Sequence, residues 1–464
     1  MNKYFSDYLP PALVRDLRSS LRTRGYLAML TVFLLVAVWL QYDSTLAWPV
    51  LGEHVYPLSL IPLLVLWFII PSRAGNSVSE DAKAKGSNFM MLTPLTSREI
   101  VWGTWVSAVF QQLVVAGVGA LIVWWRAGTL PEPFAHHLWV CYGVLVGGGA
   151  VMSAVFLFMS QLSRFMRMLL GVSVVLVSWQ VVLSLVEMAM VVRDFDPMAN
   201  FLSLFEGESL YVILADTVLV IVLLLEFARR SYAAPAENCS RSVRVLALLV
   251  PASVPLLYSY LSESVGEGQL WFAACYSIMA CMSDALLPTY SLVAHDKRAW
   301  PLVPAYLQVP GVGQAALFLL PVLGLLAWLF CRYTSVADKS LPDVYQVLLW
   351  VQMAYTLLIT LLVTDLLCKR DSVNRPVVYA LSAAPLSLLS VTVHFMVPAS
   401  LRMYVSAALP FSYPMLLEDY ALSQYTRSVP NSEMFEVEPI WQVVISAVAL
   451  VLTLLLLMWR GRRG

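Results

Sequence analysis

Long apolar runs separated by short polar clusters set the pattern of this chain. A bilayer core takes about 20 apolar residues per crossing helix, and twelve stretches between charges supply that length. They run from Gly25 to Gln41, Val55 to Pro71, Ile100 to Trp125, Leu138 to Gln161, Met168 to Val191, Leu210 to Phe227, Val245 to Leu261, Leu270 to Thr289, Val312 to Cys331, Val344 to Leu367, Val377 to Val397 and Ile440 to Trp459. The pattern predicts an all-α polytopic membrane protein of about twelve transmembrane helices.

Composition agrees. Of 464 residues, 60% are hydrophobic and 12% charged, against about 25% charged in a typical soluble domain, which excludes a water-soluble fold. With 15 Trp and 21 Tyr, the chain has too much apolar surface to stay disordered. The six cysteines are scattered with no CxxC spacing and read as small membrane hydrophobes. No small-residue cleavage site follows the first apolar run, so no cleavable signal peptide is expected.

The 29 basic and 29 acidic residues cancel, and nothing in the balance suggests nucleic acid. Their placement is informative, because Lys and Arg accumulate on the cytoplasmic side of a threaded chain. With the N-terminus inside, 23 of the 29 basic residues fall on inner segments, and sixteen acids fall on outer ones. Both termini are therefore expected in the cytoplasm. The plan of spans and loops repeats in two halves, which predicts six-helix units at 1–232 and 233–464, joined by a polar, Pro-containing run between Arg230 and Ser242.

Chemistry is sparse. There is no HExxH and no GxxxxGK[ST] phosphate loop, so no metal, cofactor or nucleotide is expected on this chain and no catalysis is assigned to it. His136 and His137 read as solvated outer-loop residues before metal or proton ligands. The segment Pro10–Arg24 gathers Leu13, Val14, Leu17 and Leu21 mainly on one helical face and Arg15, Arg18 and Arg22 on another, as an interfacial helix or a basic flank would. The most patterned inner loop runs from Ser79 to Ala108. Phe89 to Leu92 suggest a short surface helix, and Pro94 disfavours a helical Thr93. Thr96 or Ser97 can cap a new helix whose first turn holds Glu99.

The run Met91-Leu92-Thr93-Pro94-Leu95-Thr96-Ser97-Arg98-Glu99-Ile100-Val101-Trp102-Gly103 resembles the inner loop of bacterial ATP-binding-cassette (ABC) type 2 exporter permeases. Arg15, Asp16, Leu17 and Arg18 before the first span also resemble that family's approach helix. The chain departs from the pattern at Thr104, where Lys is common, and after Glu80 and Asp81, where Ala and Lys replace Gly-Thr. The resemblance implies the permease subunit of an exporter in the bacterial inner membrane. A separate P-loop ATPase subunit would bind the ATP and contact Thr93, Pro94, Leu95, Arg98, Glu99 and Gly103. It also implies that one chain carries both transporter halves as a pseudo-dimer. The second half's corresponding loop, Ser291–Gly313, offers Lys297 and Arg298 but no Thr-Pro-Leu.

Acids inside spans cost roughly 2.5–3.5 kcal/mol when central, and they default to functional hypotheses. Asp216, Asp284 and Asp365 qualify. Asp284 and Asp365 lie toward inner ends, where Lys369 or Arg370 offer pairing, while Glu226 reads as an interface anchor beside Arg229 and Arg230. These acids keep an ion-coupled secondary transporter as the alternative. A polytopic enzyme acting on lipid-linked substrates ranks below it, because the outer loops lack an acid, base and metal cluster. Gly143 and Gly147 to Gly149 suit close helix approach among membrane lipids. The outer segment Leu401–Glu438 reads as a cap or a re-entrant piece.

Overall fold

The structure is a computed structural model. It describes residues 64–83, 96–127, 132–160, 208–230, 240–258, 263–286, 312–333, 343–368, 375–396, 408–410 and 439–463, together with Tyr26, Ala28, Thr31, Leu162 and Tyr260. Among them the chain is helical with no strand. Five stretches are long and apolar enough to cross a membrane: Ser97–Leu121, Leu210–Arg229, Ser240–Leu257, Trp350–Leu367 and Trp441–Trp459. This is an all-α architecture with several membrane-crossing helices.

The chain divides into two compact units, Met1–Ala233 and Ala234–Gly464. The first begins with a π-helical turn, Leu64–Ile69, that leads into α1 (Ile70–Lys83), and continues with α2 (Ser97–Ala127), α3 (Glu132–Ser160) and α4 (Glu208–Arg229). The sequence placed a span end at Pro71 and a loop from Ser79, but the chain stays helical to Lys83. Proline has no N–H to give. At the second residue of α1, directly after the π turn, it falls where the hydrogen-bond ladder is being reset. His136 and His137, expected on an outer loop, instead lie in the first turns of α3.

Buried Val101 at the start of α2 joins Ala154 and Leu157 near the end of α3 and Leu225 and Ala228 near the end of α4 in one apolar cluster. Thus α3 and α4 run parallel to each other and antiparallel to α2. Two glycines permit close approach. A Cβ on Gly75 would stand 2.8 Å from the Phe156 carbonyl oxygen, and one on Gly148 would strike the Trp67 indole. Gly143 and Gly147 meet open space, so only part of the glycine-rich run serves packing.

The second unit contains α5 (Ser240–Tyr258), α6 (Glu263–Leu286), α7 (Val312–Tyr333), α8 (Asp343–Leu367), α9 (Arg375–Met396) and α10 (Pro439–Arg463). Pro251, Pro255, Pro321 and Pro385 lie inside helices; membrane helices tolerate this where side-chain hydroxyls and neighbouring helices satisfy the freed backbone groups. Aromatic rings connect α6, α7 and α8: Trp271 meets Phe330 at 4.9 Å between centroids, and Phe330 meets Trp350 at 5.1 Å. The sequence stretches expected at Ile100–Trp125, Leu210–Phe227, Val344–Leu367 and Ile440–Trp459 each lie inside a helix. By contrast α6 begins seven residues before the expected Leu270, because the polar Glu263–Gln269 run is helical too.

Candidate functional site

The start of α2 is built by a reciprocal cap. Thr96 Oγ1 accepts from the Glu99 amide at 3.3 Å, while the Glu99 carboxylate accepts from the Thr96 amide at 2.7 Å and its hydroxyl at 3.0 Å. This capping box satisfies backbone donors that the first helical turn leaves open. Thr96 is therefore the cap, and Ser97 is the first helical residue, 4% exposed.

Arg98 does not stand free on this turn. Its Nε and Nη2 donate to Glu226 Oε1 on α4 at 3.2 and 2.7 Å, and Arg229 Nη1 donates to the second carboxylate oxygen at 3.0 Å. Arg229 Nε also donates to Ser97 Oγ at 2.9 Å. The Glu226 side chain is 2% exposed and that of Arg98 is 58% exposed, so a buried carboxylate holds a guanidinium that still faces outward. Glu226, expected beside Arg229 and Arg230, is bound by Arg98 and Arg229, while the Arg230 guanidinium lies 5.7 Å from the Phe227 ring centre. Arg98 and Glu99, where the resemblance implies a partner contact, are also structural, one tying α2 to α4 and the other closing the cap.

Gly103 is buried one turn further along α2. Thr104 is buried as well and returns its hydroxyl to the Ile100 carbonyl at 3.0 Å. The sequence-predicted Thr93, Pro94 and Leu95, the surface helix at Phe89–Leu92, the Pro10–Arg24 segment, and Lys297 and Arg298 lie outside the described residues.

The three intramembrane acids separate. Asp284 on α6 accepts from Arg244 Nε on α5 at 2.7 Å, with side chains 1% and 4% exposed. The Arg244 guanidinium also lies 5.7 Å from the Phe318 ring centre on α7. Asp365 near the end of α8 accepts from Arg375 Nη2 at the start of α9 at 3.3 Å, both buried. Lys369 and Arg370, the expected partners, lie outside the described residues, and the observed arginines come from helices that pack alongside. Asp216 is half-buried near the middle of α4. At 100° per residue it falls on the stripe of Leu223 and Phe227, both buried, and away from exposed Tyr211, Leu214 and Val218.

Sequence reasoning missed a polar clamp in the first unit. Gln112 Nε2, in the middle of α2, donates to the Leu66 carbonyl of the π turn at 2.8 Å. The same nitrogen lies 2.9 Å from both the Gly149 carbonyl oxygen and Ser153 Oγ on α3. The signal was present as the pair Gln111-Gln112 inside an apolar run. In the second unit Gln352 Nε2 donates to Ser446 Oγ at 2.8 Å between α8 and α10. The hydroxyls of Tyr355 and Ser390 donate to the carbonyls of Ala408 and Pro410, which draws part of the Leu401–Glu438 segment onto α8 and α9.

Among the described residues, no group of three His, Cys, Asp or Glu side chains converges to hold a metal ion. Chemically, the arrangement offers polar clamps and charge pairs that fix helices against one another, with Arg98 presenting positive charge at the surface. No family model, curated protein or solved structure matches the chain.

Proposed function

We propose that this chain is the membrane-spanning permease subunit of an ATP-driven exporter in a bacterial inner membrane, powered by a separate P-loop ATPase. The observation that carries the proposal is the Arg98–Glu226–Arg229 junction. It joins the start of α2, where the exporter-like motif lies, to the far end of the same unit's sequence. A push on the loop before Thr96 is thereby delivered to α4 as well as α2, as a transporter driven from outside its own chain requires. Because Arg98 is half-exposed while its acid is buried, the junction has an outward face for a partner. ATP stays on the partner and this chain performs no catalysis.

Twelve spans with both termini in the cytoplasm belong to this reading. The parallel course of α3 and α4 supports this count, which needs an odd number of crossings between them and assigns one to the apolar run Met168–Val191. Within each unit, the arginine–acid junctions described above join a helix start to a helix end, and this reading assigns those ends to the cytoplasmic side. Of the acids on which the ion-coupled alternative rests, Asp284 and Asp365 are each engaged by arginine, while Asp216 is half-buried on α4.

Three experiments test the proposal. Purification of the chain with its native neighbours should recover a P-loop ATPase, and vesicles containing both should transport only with ATP. Transport that follows a proton gradient without ATP, and is lost in a folded Asp216→Asn variant, would replace the exporter by the ion-coupled transporter. Engineered cysteines at Ser79 and Gly464 should resist an impermeant thiol reagent in intact cells; labelling before lysis would reverse the topology.

A further inference from the structure

Helix α10 (Pro439–Arg463) is inverted relative to a helix of a water-soluble protein. Its polar residues point inward: Gln442 is 1% exposed, Ser446 0% and Thr453 4%. The outward positions are Trp441, Val444, Val448, Val451, Leu452, Leu455, Leu456 and Trp459, each between 42% and 57% exposed. They recur every three or four residues and form one continuous stripe along the helix. In water such a face would be a large exposed apolar patch.

Three features identify what covers it. Trp441 and Trp459 end the stripe eighteen residues apart, about 27 Å along a helix, close to the roughly 30 Å hydrocarbon thickness of a bilayer. Indole rings concentrate at both membrane interfaces. No ionisable residue interrupts the interval, and Arg460, Arg462 and Arg463 follow it directly, where headgroup phosphates would meet them. The stripe also consists of bulky side chains. Helices that pack against other helices in a membrane favour Gly, Ala, Ser and Thr at the contact, and here Ser446 and Thr453 face the protein interior instead.

We infer that this face of α10 is sheathed by lipid acyl chains, with Trp441 and Trp459 seated at the two interfaces, and is not an interface with a second copy or a partner helix. The inference rests on the membrane reading above but makes a separate claim about one surface.

Spin labels on single cysteines at Val448, Leu452 and Leu455, in a background with the six native cysteines replaced, test it in phosphatidylcholine–phosphatidylglycerol vesicles. Collision with oxygen should be several-fold more frequent than with a water-soluble nickel chelate at all three sites, while a label at Ser446 should be shielded from both. The unmodified protein gives a second reading: lipids carrying a diazirine on the acyl chain should label Val448, Val451, Leu452 and Leu455. Low accessibility to both colliders at the three sites, with lipid labels confined to other helices, would show a protein-covered face and overturn the inference while leaving the membrane reading intact. Dipolar broadening between copies would then identify a second copy as the cover. High nickel accessibility at Val448 would show water there and sink both.

Discussion

The two units handle buried carboxylates differently. In the first, Glu226 is shared by two arginines, one of them 58% exposed. In the second, Asp284 pairs with Arg244 and Asp365 with Arg375, and all four side chains are at most 4% exposed. An ion pair with one wet partner keeps part of its solvation, whereas a fully buried pair has given up solvation on both sides and depends on geometry to offset that. The second unit is therefore locked at its charges. The first unit holds its acid firmly but leaves one cation at the surface, beside the segment where a partner is proposed to push. Redundancy around Glu226 allows Arg98 to be drawn away without stranding the acid.

Substitutions can break or sharpen this contrast, from the largest effect down. Arg244→Ala removes a buried partner of Asp284, whose side chain is 1% exposed, and should cost about 3–5 kcal/mol, read as a large fall in melting temperature in detergent. Adding Asp284→Asn should recover part of the loss, and a single variant with an unchanged melt would show that the pair holds nothing. The double variant Arg98→Ala/Arg229→Ala removes two arginines that donate to Glu226, one from α2 and one from its own helix, and should cost about 3 kcal/mol, well beyond the sum of the singles. Simple additivity would deny the redundancy. Thr96→Ala opens the reciprocal cap and should cost about 1 kcal/mol; faster amide exchange over the first turn of α2 locates the loss. Arg98→Ala alone is the mildest, at or below roughly 1 kcal/mol because the side chain is half in solvent. Under the exporter reading it should nonetheless reduce recovery of the partner ATPase severalfold.

Much of the fold was legible because membrane helices announce themselves through local pattern. Val344–Leu367 and Ile440–Trp459 are long and mostly apolar, and their helices begin and end within a few residues of those limits. The start of α2 was legible for the same local reason, since Thr96 and Glu99 are three apart and a cap requires that spacing. Apolar pattern said less where helices continue through polar residues, as α1 does past Pro71 and α6 does before Leu270.

By itself the sequence determined that this is a helical membrane chain, where most helices lie, and which residue types are too costly in lipid to be idle. Tertiary structure alone decided what each costly residue meets. Arg244 reaches Asp284 across 40 residues, Arg98 reaches Glu226 across 128, and Gln112 spans to Leu66 and Gly149. Hydropathy and capping depend on neighbours within a turn or two, so they can be read along the chain. Charge pairing and polar clamping depend on which helix faces are brought within 3 Å of one another, and that is set by packing between segments distant in sequence.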